Sequence, residues 1–206
     1  MMIKEFGDRV ASVWEGLRPV TKKMLVGAMQ AGKAAVASPK TQNFSYDAHA
    51  DWEVSRLLTA LDEQSKSSEI RKDRAKLTEI KQLADTCVRV LETQSASAEV
   101  FIQLATRAIR DNDYDRLERL ANQLSERYSA SEIAEVVRQT ELPQIRAIAY
   151  ETLAMLPVQS IIPLLDDALY AGIAAASLEQ KAYEFESDEA RDLLDQLDAE
   201  NGIRGD

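Results

Sequence analysis

The sequence predicts an all-α protein, a multi-helix bundle or short α-solenoid with an N-terminal amphipathic helical arm, on three observations. Between Val100 and Leu169, apolar residues recur every third or fourth place: from Leu117 through Leu120, Ala121, Leu124 and Tyr128; then Ile133, Val136 and Val137; then Ile145, Ala149, Thr152 and Leu156; then Leu164, Leu165 and Leu169. That spacing marks one face of a helix. Helix formers dominate the chain, and seven Gly and five Pro leave little material for the turns of an all-β fold. Capping residues and prolines stand where the apolar runs break.

Residues 3–18 set Phe6, Val10, Val13, Trp14 and Leu17 at helical spacing before Pro19 interrupts. Thr21 is placed to cap a second helix, with Met24, Leu25, Ala28, Met29, Gly32, Ala35 and Val36 on one side and Lys22, Lys23 and Lys33 opposite. Residues 1–40 thus read as a basic amphipathic arm. It carries seven cations against three anions, about +4, which leaves about −14 for the rest of a chain of net charge −10.

Pro39 and the polar cluster over 38–48 mark a linker. A helix from about Asp47 to Leu61 points Ala50, Val54, Leu57, Leu58 and Leu61 inward. After a Ser-rich break at 62–68, one long helix from Glu69 to Leu91 sets Ile70, Leu77, Ala84 and Leu91 seven apart, with Ile80 and Cys87 between and Asp73 as the single fault. At this length a core helix is favoured over a coiled-coil seam. Residues 41–95 form this helical segment.

Residues 96–185 read as stacked hairpins. Ser95 or Ser97 caps a helix holding Val100, Phe101, Leu104, Ala105 and Ala108, and Asn112 and Asp113 make a tight joint to the next. Ser129-Ala-Ser-Glu132 has capping-box spacing. Pro143 suits a first helical turn, where its missing N–H costs nothing. Pro157 ends that helix, Pro163 is assigned to the first turn of another, and Ser177-Leu-Glu-Gln180 is assigned as a capping box ahead of Leu178, Ala182 and Phe185. In 186–206 Ser187 caps an acidic last helix with Ala190, Leu193, Leu194 and Leu197 inward, and the tail frays.

Ile145-Arg146, Ala149, Thr152-Leu153 and Leu156 resemble the second helix of a HEAT repeat, and Ile162-Pro163-Leu164-Leu165 with Leu169 resembles the first helix of the next unit. The likeness covers residues 145–169. It implies a curved α-solenoid whose surface binds other macromolecules.

Candidate chemistry is thin. Gly27-Ala-Met-Gln-Ala-Gly32-Lys33 has P-loop spacing, but Ala34 stands where Mg²⁺ needs Ser or Thr, and no alternating β/α pattern surrounds it. Asp111, Asp113 and Asp115 imitate EF-hand ligands, yet Arg116 and Asn122 occupy the Gly and Glu positions of that loop, so helix capping is the expected role. His49 is the only histidine, which rules out a multi-histidine cage within one chain. It is expected to face solvent or an interface. The acids Glu184, Glu186, Asp188, Glu189, Asp192, Asp195 and Asp198 read as a solvated face, and Trp14, Trp52 and Tyr170 as core or interface anchors. Cys87 lies on an apolar stripe as a small core hydrophobe, and a single Cys fits a reducing, cytoplasmic setting.

No catalytic, cofactor or metal site is expected. The leading expectation is a non-enzymatic scaffold or adaptor that binds another protein through the arm or the helical-repeat surface. Its candidate docking residues are Phe6, Val10, Trp14, Leu17, Lys22, Lys23, Met24, Met29 and Lys33. The alternatives are a peripheral protein held to an anionic membrane by the same arm and a nucleotide-binding enzyme using residues 27–33. A second copy of the chain is a further candidate partner. Nucleic acid is disfavoured by the acidic body.

Overall fold

Every regular element is helical in the computed structural model, which describes residues 3–33 and 46–203. A 3-10 turn at Ile3–Phe6 precedes α1 (Asp8–Gly16), α2 (Pro19–Lys33), α3 (Ala48–Gln64), α4 (Ser68–Lys72) and α5 (Arg74–Gln94). There follow α6 (Ala98–Arg110), α7 (Tyr114–Arg127), α8 (Ala130–Gln139), α9 (Pro143–Met155), α10 (Val158–Leu165), α11 (Ala171–Tyr183) and α12 (Asp188–Ile203). The chain divides into two units, Met1–Ser95 and Ala96–Asp206. No single helix among the described residues is long and apolar enough to cross a membrane.

In the first unit α3 packs along α5, α1 packs on α3, and α2 lies against both α5 and α3. The apolar stripe of residues 3–25 is spent here: Phe6, Val10, Val13, Leu17 and Leu25 are buried together with Val54, Leu57, Leu58 and Leu61. The apolar side of residues 3–25 therefore packs within this unit. Ala35, Val36 and most of the proposed linker lie outside the described residues. Gly7 turns the chain from the 3-10 helix into α1 at φ +109°, where a Cβ would stand 2.7 Å from Gln64 Nε2.

Two sequence-based expectations are corrected in this unit. Thr21 does not cap α2, which already starts at Pro19; it sits buried inside the helix. The single helix expected from Glu69 to Leu91 is two. Asp73 accepts hydrogen bonds from the N–H groups of Ala75 and Lys76, ending α4 and capping α5. The fault in the heptads is thus a helix start, because a carboxylate that satisfies two free N–H groups stabilises a break. Ile80, Cys87 and Leu91 are fully buried on α5.

The second unit stacks three hairpins, α6–α7, α8–α9 and α10–α11, in two layers. α8 touches both α6 and α10 in one layer, α9 touches both α7 and α11 in the other, and α6·α9 and α8·α11 tie the layers diagonally. Ser129 caps α8 by accepting from Glu132 N–H, while the Glu132 carboxylate accepts from Ala98 N–H at 2.7 Å, fastening the start of α6 to the next hairpin. Ile145, Ala149, Thr152 and Leu153 are buried on α9, and Pro143 occupies its first turn.

Several expectations on α10 and α11 are corrected. α10 begins at Val158 and Pro163 lies near its end, so the missing N–H forfeits one late bond only. Ile161 and Leu164 face inward, while Ile162 is partly exposed and Leu169 is 64% exposed in the turn. Ser177 is internal to α11 and its hydroxyl donates to the Ile173 carbonyl, so it heads no helix; Phe185 is exposed. Ser187 accepts from Ala190 N–H at the start of α12, which packs on α11 with Ala190 buried and Asp192, Asp195 and Asp198 outward.

Candidate interaction surface

The first unit contains one feature that helical periodicity alone does not explain, a buried carboxylate on α3. Glu53 is 1% exposed. Its Oε1 accepts from Arg18 N–H at 2.6 Å and its Oε2 from Arg18 Nε at 3.0 Å and Thr21 Oγ1 at 2.5 Å. The same guanidinium forks onto Asp47, at 3.0 and 2.7 Å, and Asp47 also caps α3 by accepting from Ala50 N–H. The α1–α2 corner is thereby clamped to the first turns of α3, with a negative group at the start of α2 where the helix dipole favours it.

Burial alone would raise the pKa of Glu53, but the bonds from Thr21 and from Arg18 N–H and guanidinium outweigh it and hold the group below its ordinary value. Asp47 is held well below the carboxylate range, first by Arg18 and then by Ala50 N–H. Arg18 is raised in return, by Asp47 and then Glu53. A carboxylate so committed is an ion-pair anchor; a general acid would need the opposite shift. A second polar tie closes the unit from the other side. Tyr46 Oη donates to Asp51 Oδ1 at 2.5 Å and Ser95 Oγ to Asp51 Oδ2 at 2.9 Å.

The outer side of α3 carries His49, Trp52, Arg56 and Thr59, spaced three or four apart. Trp52 is 56% exposed, His49 meets its ring edge-on with centroids 5.7 Å apart, and the Arg56 guanidinium carbon lies 5.2 Å from its centroid. Beside it, Arg9, Ser12, Val13, Arg56 and Thr59 line a groove of about 250 Å³ between α1 and α3. Arg9 pairs with Glu63 at this groove's rim.

The residues expected to dock a partner are only partly at the surface. Phe6, Val10 and Leu17 belong to the core, and Trp14, Met24 and Met29 are half-buried. Lys22 is half-buried, its Nζ donating to the Glu15 carbonyl at 2.9 Å, and Lys23 is exposed. The side chain of Lys33 lies outside the described ones. For a partner or a bilayer to take the apolar face of α1, Phe6, Val10 and Leu17 would first have to leave their own core. Residues 27–33 are helical and Met24-Leu25-Val26 ahead of them are helical too, so the strand and open loop of a P-loop are not what this segment forms. Asp113 caps α7 by accepting from Arg116 N–H, next to Asn112 at φ +55°.

Sequence reasoning missed Arg9, Ser12, Arg18, Glu53, Arg56 and Thr59. For Glu53 a signal existed: it falls between Ala50, Val54 and Leu57 on the buried stripe of α3. For the groove no local signal exists, because its walls come from two helices about 45 residues apart in the chain. The chain matches no family model, and no curated protein or solved structure matches it.

Proposed function

We propose that the chain is a non-enzymatic helical scaffold or adaptor whose outer helical surface binds another protein. The observation that carries this is the stacking of α6–α11 in two layers, each helix touching its neighbours one, two or three places along. Such arrays bury one side of each helix on the next hairpin and leave long outward faces, the surface that repeat proteins use for partners. Three of the N-terminal residues first considered for docking, Phe6, Val10 and Leu17, are buried in their own unit, which favours the exposed faces of the hairpins for the proposed contact.

The test replaces exposed residues of the second layer, Arg119 and Glu126 on α7, Glu151 on α9 and Glu179 on α11, with alanine in the full chain. Affinity capture with quantitative mass spectrometry then compares the two proteins. A reproducible partner set held by the parent and lost by the quadruple variant, with unchanged circular dichroism and melting temperature, supports the proposal. Identical sets from both, or none distinguishable from an unrelated acidic helical bait, would overturn it.

A further inference from the structure

We infer that the groove between α1 and α3 is a docking site for an acidic peptide segment of a partner protein, one that carries an aromatic or aliphatic anchor among its carboxylates. The occupant's chemistry follows from what lines and borders the site. Val13, 8% exposed, is the apolar residue of the lining, and Trp52, outside the lining but one turn from Arg56 on α3, leaves more than half of its indole in solvent. Aromatic side chains presented this way dominate binding energy at protein interfaces. Arg56 lies over that indole and, among the described residues, has no carboxylate partner. Its guanidinium keeps donors in a fork suited to carboxylates. Arg9 adds a second guanidinium, already paired with Glu63 at the rim, and Ser12 adds a hydroxyl, while the Thr59 hydroxyl donates to the Ser55 carbonyl at 3.0 Å; none of the five lining residues is itself a carboxylate.

Size and charge exclude two other occupants. A groove of about 250 Å³ falls short of the roughly 300–1,000 Å³ that enclose a small metabolite, but it accepts one or two side chains of an extended segment. Residues 1–95 carry 15 Lys and Arg against 13 Asp and Glu, a formal +2, which is too small for phosphate-backbone binding. A local cationic and aromatic patch on a nearly neutral surface matches a short acidic segment.

Calling the occupant a protein rests on the adaptor proposal, but the two fail separately. The groove residues lie on α1 and α3, and the quadruple alanine variant of α7, α9 and α11 leaves them intact.

The experiment uses the full chain carrying Trp14→Phe, so that Trp52 is its only tryptophan. A synthetic peptide of aspartate and glutamate with one central phenylalanine is titrated while Trp52 emission is followed. The expected result is a saturable change that weakens as salt rises and loses about tenfold in affinity with Arg56→Glu. The same variant should gain affinity for the peptide's lysine counterpart, a reversal that a merely structural Arg56 would not produce. Because Trp52 is the reporter, Trp52→Leu is measured by calorimetry and should lose ten- to about a hundredfold. No saturable change with the acidic peptide, an equal response to the lysine peptide before substitution, or saturation by inorganic phosphate alone would each overturn the proposal. So would self-association of the parent that Arg56→Glu abolishes, since the occupant would then be a second copy.

Discussion

Both units are helical throughout, but they are specified in different ways. The second repeats a hairpin, so each helix meets neighbours close in sequence, and its buried polar groups, Thr140, Thr152 and Ser177, are hydroxyls. The first has no repeat and holds Glu53, the one charged side chain among the buried polar residues described. Their balance of charge differs as well: 10 Lys and Arg against 22 Asp and Glu over 96–206, compared with 15 against 13 over 1–95. A repeating apolar pattern is enough to bring consecutive hairpins together. Non-repeating helices have many apolar ways to pack, and a buried carboxylate with defined donors selects one of them.

That contrast can be broken most severely by emptying each core. Leu153→Ala removes a fully buried side chain from α9 and should cost about 2–5 kcal/mol in urea unfolding of the second unit. Glu53→Ala should cost the first unit about 2–4 kcal/mol, close to a core truncation, because it orphans the buried Thr21 hydroxyl and the Arg18 N–H. A loss below about 0.5 kcal/mol, the level of ordinary surface changes, would make the carboxylate a bystander and dissolve the distinction between the units. Gly7→Ala is smaller, about 1–2 kcal/mol, from left-handed backbone strain and the push on Gln64.

Acid sharpens the comparison further. Glu53 and Asp47 in the first unit, and Glu135 in the second, are all more acidic folded than unfolded; Glu135 is lowered to about 2, first by Arg138 and then by Gln139 and Tyr170. A depressed pKa contributes stability that is complete above the ordinary value and lost as pH falls through the folded one. For Glu135 that window runs from about 4.5 down to about 2. Both tryptophans lie in the first unit, so their emission reports its acid unfolding alone. Glu53→Ala should flatten that dependence below pH 4.5, the ordinary value of the group it removes. An unaltered acid curve would show that another carboxylate carries it.

What was legible in the chain was whatever depends on near neighbours. The inward faces of α3, α5, α6 and α8, the Ser129 cap and the first-turn Pro143 follow from spacing over one or two turns. Asp73 shows the limit: the same residue reads as a flaw in one long helix or as the cap that divides two, and hydrogen bonding to Ala75 and Lys76 decides it. Pro163 misled for a similar reason, since proline is tolerated both at a helix start and near its end when only one bond is lost. The fate of residues 3–25 could not be read locally at all. An amphipathic stripe looks the same whether its apolar side meets a partner, a bilayer or α3, and only the folded neighbours distinguish these.

The placement of that stripe is the centre of the account, and hydrogen exchange of the full chain measures it directly. Amides of α1, Val10 and Val13 among them, should exchange as slowly as those of α3 around Leu57 and Leu58. Exchange across residues 8–16 at the rate of unfolded peptide, with α3 still protected, would show that the N-terminal helix stands free and would contradict it.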